Sequence, residues 1–298
     1  MQSFCKFLFF LALIIGTRAY ALSYPLNANT SVLGDVTTVM PQKNDTFSKY
    51  ARLYDVGAYA IQRANPGINE NYPDKQIEKI IIPASFILPS KREGIVINLP
   101  ELRLYYFNQS QVLTYPVSIG RVGWKTPIRD AQVVEKIPNP VWHVPDSILA
   151  ENEAKGKPIP PVVAAGPKNP LGRYALRLSI PGYLIHGTNA PPSIGRRVSH
   201  GCIRLFPTDI EELFNNVPLG TPVSLINEPV KAGWRGNALY LEVHPPLQEY
   251  VLSDDELKTL VTNTINSALN GKQVQVDWNL VEKMTKQQTG IVDVIAKG

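Results

Sequence analysis

Short runs of β-branched and aromatic residues, separated by prolines and glycines, fill the middle of the chain. Residues 95–98 and 102–107 flank Pro100 and Glu101, which predicts a β-hairpin. In residues 173–180 apolar and polar side chains alternate with the period of two that a half-buried strand requires. Further predicted strands are residues 112–119, 132–137, 183–186 and 222–226. The pattern predicts a mainly β protein with minor α content, of the α+β class.

Residues 37–83 follow a different pattern, which predicts a compact unit of strand, helix, helix and strand. From Phe47 to Tyr54 the apolar residues recur at i, i+3, i+4 and i+7, the spacing of an amphipathic helix. Asp45 or Thr46 can serve as its N-cap. A second short helix ends at an Asn-Pro-Gly turn, and an Ile-Ile-Ile-Pro strand closes the unit. The preceding residues lack a period, and we expect a lead-in or an edge strand there.

Helical patterns return after the β-rich region. Thr208 and Glu211 have the spacing of a capping box, which predicts a helix ending near Val217. The tail, residues 229–298, is predicted to contain one strand and two helices, over residues 238–243, 254–269 and 277–285.

Residues 138–172 are rich in proline and glycine, and we expect a long irregular segment. Loops of this length in a compact domain are usually functional or disordered. The presence of Trp142 indicates that this segment is ordered and lines a site. Whether the segment acts as a lid is left open by the pattern.

The first 21 residues have the features of a secretory signal peptide. Lys6 precedes nine consecutive apolar residues, and an Ala-Tyr-Ala cleavage site ends at Ala21. Nine residues are too few to span a hydrocarbon core of about 30 Å. We therefore expect export, cleavage near Ala21 and no later membrane span. Cys202 would then be the only cysteine of the mature chain, unable to form an internal disulfide.

Composition and charge serve only to exclude certain classes of protein and partner. The chain of 298 residues is 44% hydrophobic and 18% charged, which are globular values. Its net charge of +5 would fall to +3 without the signal peptide, because Lys6 and Arg18 are lost and no acid is. This mild excess argues against a nucleic-acid partner, for which a clustered basic face is expected.

The candidate reactive residues lie in residues 184–206. Two histidines and Cys202 fall there within a span of 17 residues. A thiol attacks as a thiolate, and its free pKa is about 8.5, so a histidine base would activate it. His200 is close in sequence, whereas His186 ends a predicted strand and can approach across the loop. Gly201 can direct the Cys202 amide toward an oxyanion. Zinc binding by the two histidines and the cysteine, or an inert buried cysteine, are the alternatives.

Two stretches resemble known families. The sequence NDTFSKYARLYDVGAYAIQRANPG, followed by KIIIP, resembles a LysM domain, which implies a LysM-like fold for residues 37–83 and binding to peptidoglycan glycan strands. The alternative, a LysM-like fold used for packing or docking, stays open. HGTNAPPSIGRRVSHGCIRL resembles the signature of the YkuD-type L,D-transpeptidase catalytic domain.

The second resemblance extends over residues 93–228, and implies a β-sandwich-like catalytic domain followed by a C-terminal α/β extension, residues 229–298. Together the stretches resemble the periplasmic ErfK/YbiS/YcfS/YnhG-like L,D-transpeptidases of Gram-negative bacteria, which are carbapenem targets.

That resemblance implies a role for each motif residue. Cys202 would be the nucleophile and His186 the proton acceptor and donor, oriented by a backbone carbonyl near Gly187. The amides of His200, Gly201 and Cys202 would form the oxyanion hole. The residues implied to bind substrate are Arg204, Arg197 and Ser199.

The implied reaction needs no cofactor and no metal. Cys202 would form a thioester with the diaminopimelate of a tetrapeptide stem and release D-alanine. An amine of another stem or of an envelope lipoprotein lysine would then accept the acyl group, and water as acceptor would give a carboxypeptidase. A non-catalytic peptidoglycan-binding protein is the remaining alternative. The reference pKa of histidine, about 6.5, predicts that activity falls as His186 protonates.

Overall fold

The computed structural model describes residues 22–26, 31–71 and 77–298. The expected signal peptide, residues 1–21, lies outside them. Among the described residues, no helix is both long and apolar enough to cross a membrane.

Strands outnumber helices in the described chain. The strands are β1 (Leu22–Pro25), β2 (Val32–Gly34), β3 (Thr37–Val39), β4 (Ile80–Ile82), β5 (Ser85–Ile87), β6 (Gly94–Asn98), β7 (Arg103–Phe107), β8 (Gln111–Pro116), β9 (Ile119–Gly120), β10 (Arg129–Pro138), β11 (Trp142–His143), β12 (Val162–Val163), β13 (Tyr174–Leu178), β14 (Leu184–His186), β15 (Arg197–Ser199), β16 (Ile203–Arg204), β17 (Pro222–Ile226), β18 (Val230–Arg235), β19 (Ala238–Val243) and β20 (Asp293–Lys297). The helices are α1 (Phe47–Tyr54), α2 (Ala58–Ala64), α3 (Asp146–Ala154), α4 (Pro207–Asn216), α5 (Asp254–Leu269) and α6 (Trp278–Gln287). The prediction of a mainly β protein with some helices is confirmed.

One nine-stranded sheet forms the centre, in the order β1-β8-β7-β6-β17-β10-β13-β14-β16. Strand β10 joins its two halves: residues 129–132 pair with β17, and residues 133–138 pair with β13. Apolar residues from both halves and from α4 belong to one hydrophobic core. The two halves therefore enclose a shared core, and β14 and β16 lie at one end of the sheet.

The predicted hairpin is β6 and β7, and its side chains are buried on both faces. Ile97 and Leu104 face the shared core, whereas Val96 and Tyr105 pack against the N-terminal unit. A strand covered on both sides has no polar face, which explains a continuous run of β-branched and aromatic residues instead of strict alternation.

The N-terminal unit has the predicted order of strand, two helices and strand. Its strands β3 and β4 pair antiparallel. Thr46 caps α1 by accepting a hydrogen bond from the Lys49 N–H at 3.1 Å. Asp45 is buried and instead accepts from the Gln42 N–H at 2.9 Å and from the Tyr50 hydroxyl. The lead-in contributes β1, which pairs with β8 at the edge of the central sheet.

The capping box predicted at Thr208 is wrong. Helix α4 begins at Pro207, and its N-cap residue, Phe206, has no capping side chain. Proline is favoured at the first helical position because its φ is already helical and its missing N–H costs nothing there. The Thr208 hydroxyl instead binds the Arg52 guanidinium at 2.6 Å and the Asp209 carboxylate at 2.9 Å.

The expectation of an irregular segment at residues 138–172 is also wrong in part. The segment contains α3 and the short antiparallel pair β11 and β12. Within α3 only Ile148 is buried, so the helix lacks the apolar stripe by which a helix is recognised in sequence.

The C-terminal extension is a three-stranded sheet, β18-β19-β20, packed against α5 and α6. Both predicted helices are present, and Ser253 and Glu256 form a capping box at the start of α5. Only β19 was predicted among the strands. Strand β18 was missed because Lys231 and Gly233 interrupt its apolar pattern.

Lys231 ties the extension to the rest of the protein. Its ammonium is buried and lies 2.7 Å from Glu101 Oε2, 3.0 Å from Glu242 Oε2 and 2.6 Å from the carbonyl oxygen of Ile87. Glu101 follows β6, Ile87 ends β5 and Glu242 lies in β19, so one buried cation joins the central sheet, strand β5 and the extension. Removing one member of such a group leaves the others buried and unpaired.

Replacing Lys231 with methionine is expected to lower the free energy of unfolding by roughly 3–5 kcal/mol, because both carboxylates would remain buried without their cation. Lys286→Met is the matched control, since its pair with Glu282 is exposed and is worth about 0.5 kcal/mol at most. Urea unfolding monitored by circular dichroism measures both. Equal stability of the two variants would contradict the assigned role of Lys231.

Candidate active site

The parallel pairing of β14 with β16 brings the two ends of the candidate loop together. Ile185 lies opposite Ile203, and both side chains are fully buried in the shared core. Because side chains alternate along a strand, His186 and its neighbour Arg204 lie on the other face. Cys202 lies directly before β16 and precedes Arg204 by two residues, so an extended backbone there would turn its side chain to the same face. Strand spacing and rise place the Cα atoms of such diagonal neighbours roughly 8 Å apart.

His186 is a buried imidazole, only 2% exposed. Its Nδ1 has no hydrogen-bond partner in the part of the chain that the structure describes. Burial, and secondly the charge of Arg204, lower the pKa of His186 to about 3, while hydrogen bonds that the ring donates to the backbone of Gly187 and Leu171 act in the opposite direction. The expectation of a pKa near 6.5 is therefore wrong, because sequence does not show the burial of this ring.

Two glycines allow the backbone to approach His186 closely. A Cβ on Gly187 would lie 3.1 Å from Ile210 Cγ2, so a larger residue would push β14 away from α4. Gly172 has φ +71°, and its Cβ would lie 2.9 Å from the Thr188 nitrogen. The preceding residue, Leu171, forms a backbone hydrogen bond with the imidazole. Since Nδ1 has no partner, we infer that the carbonyls of Leu171 and Gly187 act on Nε2.

The thiol of Cys202 faces the turn between β13 and β14. Its Sγ lies 3.5 Å from the carbonyl oxygen of Gly182. Burial raises the pKa of the thiol, and the Leu184 backbone hydrogen bond and the charge of Arg204 only partly oppose this. At neutral pH the cysteine and His186 are therefore both uncharged.

The turn before Cys202 is fixed by its own hydrogen bonds. Gly201 has φ +109°, and a Cβ there would lie 3.1 Å from Tyr183 Cε1, so glycine is required. The Ser199 hydroxyl accepts from the Gly201 N–H at 3.1 Å and donates to the Cys202 carbonyl at 2.6 Å. Thr126 donates to the Gly201 carbonyl at 2.7 Å. The backbone around the thiol is thus held on both sides.

These hydrogen bonds change two expectations. The Gly201 amide, expected in the oxyanion hole, already donates to Ser199. Ser199, expected to bind substrate, is buried and uses its only hydroxyl hydrogen within the turn. The amides of Cys202 and His200 form no hydrogen bond that we observe among the described residues. Of the three amides expected in the oxyanion hole, these two remain without an observed acceptor.

His200 belongs to a polar cluster beside the turn. Its Nε2 lies 2.7 Å from Glu151 Oε2 and 3.1 Å from Arg121 Nη1, and Trp124 packs edge-on with ring centroids 4.6 Å apart. Burial lowers the pKa of His200, and the hydrogen bond that its ring donates to Glu151 opposes this. Hydrogen bonds to Glu151 lower its pKa to about 2. The largest effect comes from Lys155, followed by Arg121 and then His200. No motif in the sequence pointed to Glu151 or Arg121.

The two candidate arginines differ in their partners. Arg197 forms an ion pair with Glu249 and donates to the Gly120 carbonyl at 3.1 Å. Arg204 has no ion pair among residues 22–26, 31–71 and 77–298, and its Nε is buried without a partner. Arg204 is therefore the arginine that is available to an anionic group of a substrate.

The zinc alternative is not supported by the geometry. Within the described chain, histidine, cysteine and carboxylate ligand atoms converge only at Glu101, Glu242 and His244. There the ammonium of Lys231 already lies between the two carboxylates. His186, His200 and Cys202 are not brought together as a ligand set.

Comparison with known proteins gives consistent matches. A family model described as the YkuD L,D-transpeptidase catalytic domain matches residues 92–225. Probable L,D-transpeptidase YcfS of Escherichia coli (strain K12) is 38% identical over 296 residues, which cover 93% of this chain and 91% of that protein. Probable L,D-transpeptidase YbiS of the same strain is 39% identical, covering 92% of each chain. Probable L,D-transpeptidase ErfK/SrfK of Salmonella typhimurium is 36% identical, covering 100% of this chain and 99% of its own.

The raised pKa of Cys202 predicts how its reactivity depends on pH. Alkylation by iodoacetamide requires the thiolate, so the rate should rise about tenfold per pH unit from pH 6 to 9 without a plateau. Intact-mass spectrometry of the native protein gives the rate at each pH. A plateau beginning near pH 6 would instead indicate a thiolate–imidazolium pair.

Proposed function

The chain belongs to the L,D-transpeptidase family, and on that basis we propose that it is a periplasmic transpeptidase of peptidoglycan stem peptides that uses Cys202 as its nucleophile. The observation that supports this proposal is the pairing of β14 with β16, which brings the strand that ends at His186 beside the strand that begins directly after Cys202. The unpartnered Nδ1 of His186 is the atom that would take the thiol proton.

In the first half-reaction, Cys202 Sγ attacks the carbonyl carbon of the diaminopimelate residue in a tetrapeptide stem while His186 Nδ1 takes its proton. The oxyanion of the tetrahedral intermediate accepts hydrogen bonds from the amides of Cys202 and His200. His186 then gives the proton to the departing D-alanine amine, and a thioester remains on Cys202. The carbonyls of Leu171 and Gly187 stabilise the transient imidazolium in place of a carboxylate.

In the second half-reaction an amine attacks the thioester. His186 removes the amine proton and returns it to the Cys202 sulfur as the new amide forms. A stem diaminopimelate as acceptor gives a 3–3 crosslink, and a lysine of an envelope lipoprotein gives a protein–peptidoglycan bond. Water in place of the amine would make the same site a carboxypeptidase.

Arg204 is proposed to hold a carboxylate of the donor stem beside the thioester. It shares the face of His186 and has no acidic partner within the described ranges. Arg197 is less suited to this role because Glu249 neutralises it. Ser199 is proposed to position the nucleophile turn.

We also propose roles for the flanking regions. The order strand, helix, helix, strand at residues 37–83 is evidence for a LysM-like domain that binds glycan strands. The extension, residues 229–298, is proposed to stabilise the catalytic domain through its buried contacts. Export by residues 1–21 would deliver the mature enzyme to the periplasm.

Cys202→Ala should abolish D-alanine release and thioester formation on purified disaccharide-tetrapeptide, because no other group supplies the nucleophile. Liquid chromatography of the products, with intact-mass spectrometry of the protein, measures both. Full activity in this variant would refute the mechanism. A non-catalytic peptidoglycan-binding protein would show no muropeptide product with the wild-type chain either.

His186→Gln should reduce the rate of acylation by roughly 10²–10⁴-fold, the usual contribution of a general base. His143→Gln is the matched control, because His143 is exposed on β11. Stopped-flow measurement of carbapenem acylation, which consumes the same thiol, reports the rate. If both variants acylate at the wild-type rate, His186 is not the base.

A further inference from the structure

One short segment, residues 118–126, lies against both arms of the nucleophile turn. Its strand β9 pairs in parallel with β15, the strand that leads into the turn, and Ser199 lies opposite Gly120. Just before β9, Ser118 and Arg204 exchange two backbone hydrogen bonds of 2.9 Å each. The same segment therefore also holds β16, the strand that leaves the turn.

Two carbonyl groups of the turn accept hydrogen bonds from this segment. The Arg121 N–H donates to the Ser199 carbonyl at 3.0 Å, and the Thr126 hydroxyl donates to the Gly201 carbonyl at 2.7 Å. Thr126 is buried, and its Oγ1 accepts from the Gly120 N–H at 2.9 Å. A hydroxyl has one hydrogen to donate, and that of Thr126 therefore belongs to the bond with Gly201.

These two bonds determine where two backbone N–H groups of the turn point. No cis peptide bond is present among the described residues, and in a trans peptide the C=O and the N–H point in opposite directions. The Ser199 carbonyl shares a peptide unit with the His200 N–H, and the Gly201 carbonyl shares one with the Cys202 N–H. Both N–H groups therefore point away from residues 118–126.

The peptide unit between these two is fixed in a different way. Its Gly201 N–H already donates to Ser199 Oγ at 3.1 Å. All three peptide units of the turn are thus held by hydrogen bonds, and within the described chain the N–H groups of His200 and Cys202 are the two left without an acceptor.

Thr126 is the side chain on which this arrangement depends. The bond to the Ser199 carbonyl comes from the Arg121 backbone, so it does not depend on the identity of that side chain. The bond to the Gly201 carbonyl comes from the Thr126 hydroxyl. A hydrogen bond to a peptide carbonyl also polarises the N–H of the same unit, which makes the Cys202 N–H a stronger donor.

We propose that Thr126 is a positioning residue for the transpeptidase reaction, and that its hydroxyl orients the Cys202 N–H toward the oxyanion formed when the thiol attacks. The inference rests on the proposed function, in which the amides of Cys202 and His200 bind that oxyanion. The hydroxyl acts through the Gly201–Cys202 peptide unit. Its effect therefore belongs to the transition state and not to substrate binding.

The test compares two reactions of the same thiol in the full chain. Carbapenem acylation passes through an oxyanion, whereas alkylation by iodoacetamide displaces iodide from a saturated carbon and forms none. Thr126→Val should lower the acylation rate at saturating carbapenem roughly 10- to 100-fold, because outright loss of an oxyanion donor costs about 10²–10³-fold. The half-saturating carbapenem concentration and the alkylation rate should stay at the wild-type values. Stopped-flow kinetics and intact-mass spectrometry measure the two reactions.

Two further variants serve as controls. Thr126→Ser keeps the hydroxyl and should retain most of the wild-type acylation rate. Thr114→Val is the matched control, because Thr114 is also buried and donates its hydroxyl to a backbone carbonyl, that of Leu104, at 3.1 Å. It lies on β8, near the opposite end of the central sheet, and should acylate at the wild-type rate.

The possible failures are distinguishable. Wild-type acylation in Thr126→Val would overturn the role of Thr126 alone. A parallel fall in acylation and alkylation, or loss of the folded state by circular dichroism, would overturn it as well, because the hydroxyl would then only support the fold. Absence of an acyl-enzyme with carbapenem and with disaccharide-tetrapeptide in the wild-type protein would overturn both this inference and the proposed function.

Discussion

The parallel pairing of β14 and β16 is the constraint on which the site depends. The chain must leave β14 at His186, cross the loop and return beside it in the same direction, with Ile185 and Ile203 fixed in the core. That register brings His186 beside the strand that begins directly after Cys202, although the two residues are 16 positions apart in sequence. A slip of one residue would turn the thiol into the core, because alternate side chains of a strand face opposite sides.

Burial determines the electrostatics of the pair. A carboxylate next to His186 would favour the imidazolium, whereas backbone carbonyls orient the ring and leave it neutral. The thiol is likewise neutral at rest, so in the proposed reaction charge develops only when substrate is attacked. The turn that carries Cys202 is held by hydrogen bonds from Thr126 and Ser199. Glu151, in helix α3 of the segment 138–172, forms a hydrogen bond with His200. The surrounding segments thus position a reactive pair that carries no charge of its own.

Much of the fold follows from periodicity, since the hairpin and the helices of the two flanking units were predicted from apolar spacing. Helix α3, with Ile148 as its buried residue, has no such spacing and was missed, and with it the contact of Glu151 with His200. Sequence proximity favoured His200 as base, and only the family resemblance favoured His186. The low pKa of His186 could not be predicted, because it depends on burial by segments distant in sequence.

In the proposed reaction His186 is a neutral base whose Nδ1 is free for the thiol proton. The most direct test is a pH titration of the native protein followed by nitrogen-15 NMR of its histidine side chains, with His186→Gln for assignment. We expect the His186 ring to carry its hydrogen on Nε2 and not to titrate between pH 5 and 8. Titration near pH 6.5, or a hydrogen on Nδ1, would contradict it.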